Sequence, residues 1–198
     1  MISRRSAVLS LPAFVCTLFA TASGAHARSL HGRYFVVVWG FQGAGNAPKD
    51  SHTFAVFYRG DDLAAGNGHA ATISWLPAKL VVRNGVVERG RNLSLGETLA
   101  LARRRHYEVA SYGPYEISRQ TYAHALARIH LLNSGKIAYT MINGPANAMN
   151  CTAAAGSVDG PFSAGLSYGF SGSAAVANHL ALNGQVDGDA KARLRTAR

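Results

Sequence analysis

Apolar and polar residues along this chain fall into blocks of two different periods. Arg33 to Phe41, RYFVVVWGF, is apolar and rich in β-branched residues, and predicts a buried strand. Gln42 to Asp50 is rich in Gly, Asn and Pro and predicts a loop. Ser51 to Arg59, SHTFAVFYR, alternates as a strand does. Its period of two puts His52, Phe54, Val56 and Tyr58 on one face and Thr53, Ala55 and Phe57 on the other. After a polar turn region, Gly60 to His69, the segment Ala70 to Leu76 predicts a third strand ended by Pro77. Asn84-Gly85, a common two-residue turn, predicts a small hairpin over Leu80 to Val87.

The period then lengthens. Ser94-Leu95-Gly96-Glu97 spells a capping box and predicts a helix running to about Arg104. Tyr107 to Tyr112 predicts a short strand before Gly113-Pro114. Ser118 caps a helix over roughly 119–133, where Tyr122, Leu126, Ile129 and Leu132 follow the helical repeat and Gly135 follows the end. Ile137 to Ile142 reads as a strand closed by Asn143-Gly144. A short helix from Cys151, a Gly-rich loop from Gly156 to Gly172 and an Ala-rich helix over about 173–182 complete the order. The sum is an α+β fold: a mainly antiparallel sheet with packed helices.

The N-terminus changes the picture by setting a compartment. Arg4 and Arg5 form a charged n-region, Ala7 to Ala20 an apolar run interrupted by Ser10, Pro12 and Thr17, and Ala25-His26-Ala27 a small-x-small cleavage site. Residues 1–27 therefore read as an export signal, by the general or the twin-arginine route, and the run is too short for a membrane span. The expected product is periplasmic or secreted, with no transmembrane span: a single domain over residues 28–184 and a polar, basic, disordered tail over 185–198. The chain of 198 residues carries a formal charge of +10, which falls to +8 when Arg4 and Arg5 leave with the signal. That excess suits an anionic surface or polymer.

Export also makes the cysteine count informative. Cys16 lies in the signal, so Cys151 stands alone in the mature chain and cannot close an internal disulfide. It is a small buried hydrophobe, an intermolecular pairing site or a nucleophile. Asn150 is a good N-cap and the alanines after Cys151 favour helix, which places the thiol in a first helical turn, where unpaired amides favour a thiolate. A thiol nucleophile needs a base, and His52, at the start of a strand, is better placed than His31, His69, His124 or His130. His179 follows Cys151 within the Ala-rich helix and reads as a residue on that helix's border.

The strand Ser51-His52-Thr53-Phe54-Ala55-Val56 followed later by Asn150-Cys151 opening a helix resembles the circularly permuted NlpC/P60-type thiol hydrolases, the group that includes lecithin–retinol acyltransferase-like proteins. The resemblance covers roughly residues 33–182. It implies a papain-like core with Cys151 as nucleophile and His52 as base, acting on an amide, peptide or ester bond without a metal or organic cofactor. Given the compartment, cell-wall peptide is the expected substrate class. Ser74 is the candidate for the group that orients His52, with Thr72, His69 and Glu116 as alternatives. The Cys151 N–H is the natural oxyanion donor and Gln42 a second.

Other signals point away from competing classes. Arg103-Arg104-Arg105 lacks the interleaved aromatics of single-stranded nucleic-acid binding, so no specific nucleic-acid partner is expected. No zinc spacing, phosphate-binding Gly-rich loop or paired-carboxylate signature occurs. The rival readings are a non-catalytic secreted binding protein on the same fold, with a vestigial site and a basic face for anionic polymers, and a protein that dimerises through Cys151.

Overall fold

The computed structural model describes residues 29–66, 69–142, 144–165 and 167–181. The expected signal segment 1–27 and tail 185–198 lie outside the described residues. The fold is α+β, with five α-helices and two mostly antiparallel sheets among the described residues.

The first sheet is built on the two apolar runs. Strand β1 (Tyr34–Gln42) pairs antiparallel with β2 (Ser51–Arg59) along its whole length, Tyr34 opposite Arg59 and Gln42 opposite Ser51. Strand β3 (Ala71–Ile73) flanks β2, and β6 (Glu108–Ile117) flanks β1. Both faces of this sheet are covered, which is why β1 reads as an unbroken apolar run. One face carries Phe35, Val37, Trp39 and Phe41 with Phe54, Val56 and Tyr58, packed with Leu93, Leu101 and Ala102. The last two belong to α2 (Leu95–Arg104), whose N-cap Ser94 completes the predicted capping box with Glu97. The other face carries Val36, Val38, Ala55 and Phe57, and lies against α3 (Arg119–Asn133), α4 (Cys151–Gly156) and α5 (Gly169–Leu180) through Ala125, Leu132, Ala154, Ala155, Val176 and Ala177. Phe54 and Phe57 are fully buried, one on each face, and each contributes about 1.5–3 kcal/mol.

The second sheet runs β4 (Trp75–Pro77), β5 (Val87–Asn92), β7 (Ala138–Thr140) and β8 (Ala148–Met149), the last two parallel.

Several expectations are corrected. The third predicted strand divides at Ser74, with residues 71–73 in one sheet and 75–77 in the other. The predicted hairpin over 80–87 does not form; its second half instead begins β5, which pairs with β4 and β7. The expected short strand at 107–112 runs on through Gly113-Pro114 to Ile117, guided by β1. The polar region after β2 contains the short helix α1 (Gly60–Ala64). The last helix starts earlier than expected, at Gly169, whose positive φ of 57° opens it.

Helix α5 reaches the sheet at Gly40. Ser173 Oγ stands 3.0 Å from the Trp39 carbonyl, 2.9 Å from the Gly169 carbonyl and 3.0 Å from Thr53 Oγ1. A Cβ on residue 40 would collide with Ser173 Oγ, so glycine sets how closely the helix lies on the sheet.

Candidate active site at the N-terminus of helix α4

Strand β3 pairs with β2 only across Ala55, Val56 and Phe57. Helix α4 packs against β2 as well. Asn150 caps α4 as its sequence predicts, its Oδ1 accepting the Ala153 N–H at 2.7 Å. Cys151 is thus the first helical residue, and its sulfur lies 3.8 Å from Thr152 Oγ1. Burial pushes the thiol pKa up. The Thr53 N–H, the Thr152 hydroxyl and the amides of Thr152 and Cys151 pull it the other way without reversing it. The expected lowering is therefore corrected: a helix of six residues offers too few amides to offset the lost hydration of a thiolate.

His52 is 1% exposed and faces the aromatic side of the sheet, its ring 5.1 Å from Phe41 and 5.6 Å from Phe54. Its Nε2 meets Ser74 Oγ at 2.9 Å. Burial lowers its pKa to about 3, so the ring is neutral at ordinary pH. Its Nδ1 is buried without a hydrogen-bond partner. Ser74 is held where the third strand divides. Its amide donates to Asn92 Oδ1 at 2.7 Å, its carbonyl accepts the Leu93 N–H at 2.9 Å, and Asn92 Nδ2 donates to the Thr72 carbonyl at 2.8 Å.

The structure thus brings His52 and Ser74 together. His52 Nδ1 has no hydrogen-bond partner, and the Cys151 sulfur lies by the backbone amide of Thr53, the residue after His52. The other candidates for the orienting group lie elsewhere. Glu116 forms a two-pronged pair with Arg33, at 2.6 and 2.9 Å. His69 is exposed, and Thr72 stands opposite Val56 within the strand pairing. His179 packs against Phe162 with the rings tilted and their centres 4.8 Å apart, and is not among the described residues that line the cavity beside the sulfur.

That cavity has a volume of about 640 Å³. Asn150, Cys151 and Thr152 line one wall, Tyr139, Met141 and Ile142 a second, Gly165, Ser167, Tyr168 and Gly169 a third, and Pro48 and Ser51 close it. Among the described residues that line it there is no Asp, Glu, Lys, Arg or His. Tyr139 was not singled out by the sequence, where it reads as one more apolar residue of a strand. Its phenol is buried, and burial raises its pKa, with the neighbouring Cys151 and Glu88 adding to the rise. Gln42 Oε1 accepts the Phe170 N–H at 3.2 Å, so the residue expected as an oxyanion donor also caps the start of α5 beside the cavity.

Among the described residues no helix is long and apolar enough to cross a membrane, and no group of three or more His, Cys, Asp or Glu side chains is placed to hold a metal ion. Comparison with protein families, curated proteins and solved structures finds no match for this chain.

Proposed function

We propose that the chain is an exported, periplasmic or secreted thiol hydrolase or acyltransferase on a permuted papain-like core, acting on an amide, peptide or ester carbonyl. The observation that carries this reading is the placement of the Cys151 thiol. It opens a capped helix, lines a cavity of about 640 Å³, and lies at the amide following a histidine whose far nitrogen is already held by Ser74.

The burial shifts on both groups favour a resting pair of neutral thiol and neutral imidazole. The proton therefore moves during attack rather than before it. The sulfur bonds to the substrate carbonyl carbon as the thiol proton passes to His52 Nδ1, and the carbonyl π electrons move onto oxygen. As the oxyanion collapses, the amine or alcohol leaves with that proton and a thioester remains on Cys151. Water, or an acceptor alcohol or amine, then attacks the thioester while Nδ1 takes its proton, and the thiol is restored. Nδ1 is unpartnered and Ser74 fixes the ring, so in this reading the Cys151 side chain turns to Nδ1 as substrate binds. Ser74 holds the ring throughout, and the Cys151 N–H is the natural oxyanion donor.

The cavity wall also favours a second reading, the non-catalytic binding protein with a vestigial site. A chamber whose described lining residues carry no charge, beside a thiol kept protonated, suits an uncharged ligand. Intact mass after incubation with p-nitrophenyl acetate separates the two. The thiol-enzyme reading expects one acetyl group on Cys151, absent in Cys151→Ala and formed at least tenfold more slowly in His52→Gln. Acetylation no faster than that of a free cysteine, and unaffected by His52→Gln, overturns it in favour of the binding protein.

A further inference from the structure

We propose that the Tyr139 hydroxyl is an oxyanion donor of the Cys151 site, acting with the Cys151 N–H on the carbonyl oxygen of the bond under attack; this rests on the reading of Cys151 as the nucleophile. Strand register places the side chain. Tyr139 stands opposite Met149 in the parallel pair of β7 and β8, and Met149 leads through Asn150 into the cysteine. Tyr139 and Cys151 then line the same cavity of about 640 Å³.

A buried phenol ordinarily finds a hydrogen-bond partner in the protein. Tyr139 is 3% exposed, yet burial and the charges of Cys151 and Glu88 are what act on its titration, with no hydrogen bond among the causes. Its oxygen is also not one of the buried polar atoms cut off from both solvent and partners. The hydroxyl therefore opens on the cavity that its side chain lines. Two other hydroxyls of the cavity are already engaged. Ser51 Oγ donates to the Ala47 carbonyl at 2.9 Å, and Thr152 Oγ1 lies 3.8 Å from the sulfur itself. Gln42, expected in this role from the sequence, has its carboxamide oxygen on the Phe170 N–H and is not among the described residues that line the cavity.

A phenol suits the role because its hydrogen stays on. Burial and the neighbouring negative charges push its pKa up, so it remains a donor at any pH at which the thiol reacts. As the sulfur bonds to the carbonyl carbon, the π pair moves onto oxygen, and that oxygen accepts the Tyr139 O–H. The hydrogen stays with the phenol throughout. The contact relaxes when the carbonyl re-forms and the amine or alcohol departs. A donor fixed in place before the reaction and sheltered from bulk water favours this charged state over the neutral carbonyl.

Tyr139→Phe tests the assignment, because it removes the hydroxyl and leaves the ring. No described group loses a hydrogen-bond partner, so the variant is expected to keep the wild-type urea midpoint. Intact mass then follows two reactions of Cys151 in both proteins. Acetylation by p-nitrophenyl acetate passes through an oxyanion. Alkylation by iodoacetamide displaces iodide at a saturated carbon and forms none. Acetylation is expected to slow about tenfold or more in Tyr139→Phe while alkylation keeps its rate. Equal slowing of both reactions overturns the proposal, since the hydroxyl then serves the thiol rather than the carbonyl oxygen. A variant that fails to fold overturns it too, by giving the hydroxyl a structural role. Fast wild-type acetylation that Tyr139→Phe leaves untouched removes the Tyr139 assignment alone. Wild-type acetylation no faster than that of a free cysteine removes the thiol-enzyme reading itself, and this proposal with it.

Discussion

Asn92 spans the break in the third strand by holding Ser74: its Oδ1 takes the Ser74 amide at 2.7 Å while its Nδ2 returns to the carbonyl of Thr72 at 2.8 Å. One side chain so replaces the strand pairing that lapses where residues 71–77 pass between sheets. Asn92→Ala removes both bonds and leaves a donor and an acceptor without partners at a largely buried position. A loss of about 2 kcal/mol is expected, read as a fall in the urea midpoint. Asn92→Asp should be harmful too, because it keeps the acceptor for Ser74 but has no donor for Thr72.

The buried ring of His52 makes stability depend on pH. Its pKa in the fold is about 3, against 6.5 for an exposed histidine. Between those values the unfolded chain binds a proton that the folded chain does not. Stability from this group is therefore full above the unfolded value and is lost as pH falls toward the folded one, at up to ~1.4 kcal/mol per pH unit. His52→Phe, which suits the pocket of Phe41 and Phe54, should flatten the fall in melting temperature between about pH 7 and pH 4. An unchanged slope would remove the assignment of that pH dependence to His52.

Cys151 should titrate late. Burial outweighs the amides around the sulfur, so the alkylation rate with iodoacetamide is expected to rise with a midpoint above that of a free cysteine. Asn150→Ala removes the acceptor for the Ala153 N–H and should destabilise the protein by about 1 kcal/mol. A midpoint below the ordinary value would show that the helix start governs the thiol after all.

Gly40→Ala should lift α5 from the sheet. The added methyl meets Ser173 Oγ, with Ser173 Cβ and the Gly169 carbonyl close behind, so a cost of about 1–3 kcal/mol is expected in thermal or urea unfolding. In a Ser173→Ala background the penalty of the same substitution should shrink, because the atom first struck is gone. Equal penalties in the two backgrounds would place the strain elsewhere.

What was legible in the sequence followed from periodicity and local caps. The face shared by His52, Phe54 and Val56 was readable from alternation, and the Ser94, Ser118 and Asn150 caps from residue type. What stayed hidden depends on distant partners. Nothing local to Ala70–Leu76 says that the strand changes sheets at Ser74; that is decided by Asn92, eighteen positions on. Asn84-Gly85 looks like a hairpin turn, but Val87 onward finds better partners in β4 and β7. Tyr139 gained its place beside the thiol only because β7 runs next to β8, whose end delivers Asn150 and Cys151. His52 was expected to serve Cys151 because a strand end meets a helix end. The structure turns the ring to the aromatic face, where its neighbours are Phe41, Phe54 and Ser74.

The division of the third strand gives Ser74 a mechanical position as well as a chemical one. It is the covalent seam between the two sheets, and its side chain grips the imidazole of the first while its peptide is stitched to Asn92 of the second. Tyr139 and Met149, on β7 and β8, belong to the second sheet and lead into the wall that faces the sulfur. One sheet therefore supplies both a wall of the cavity and the anchor of the residue that holds the histidine.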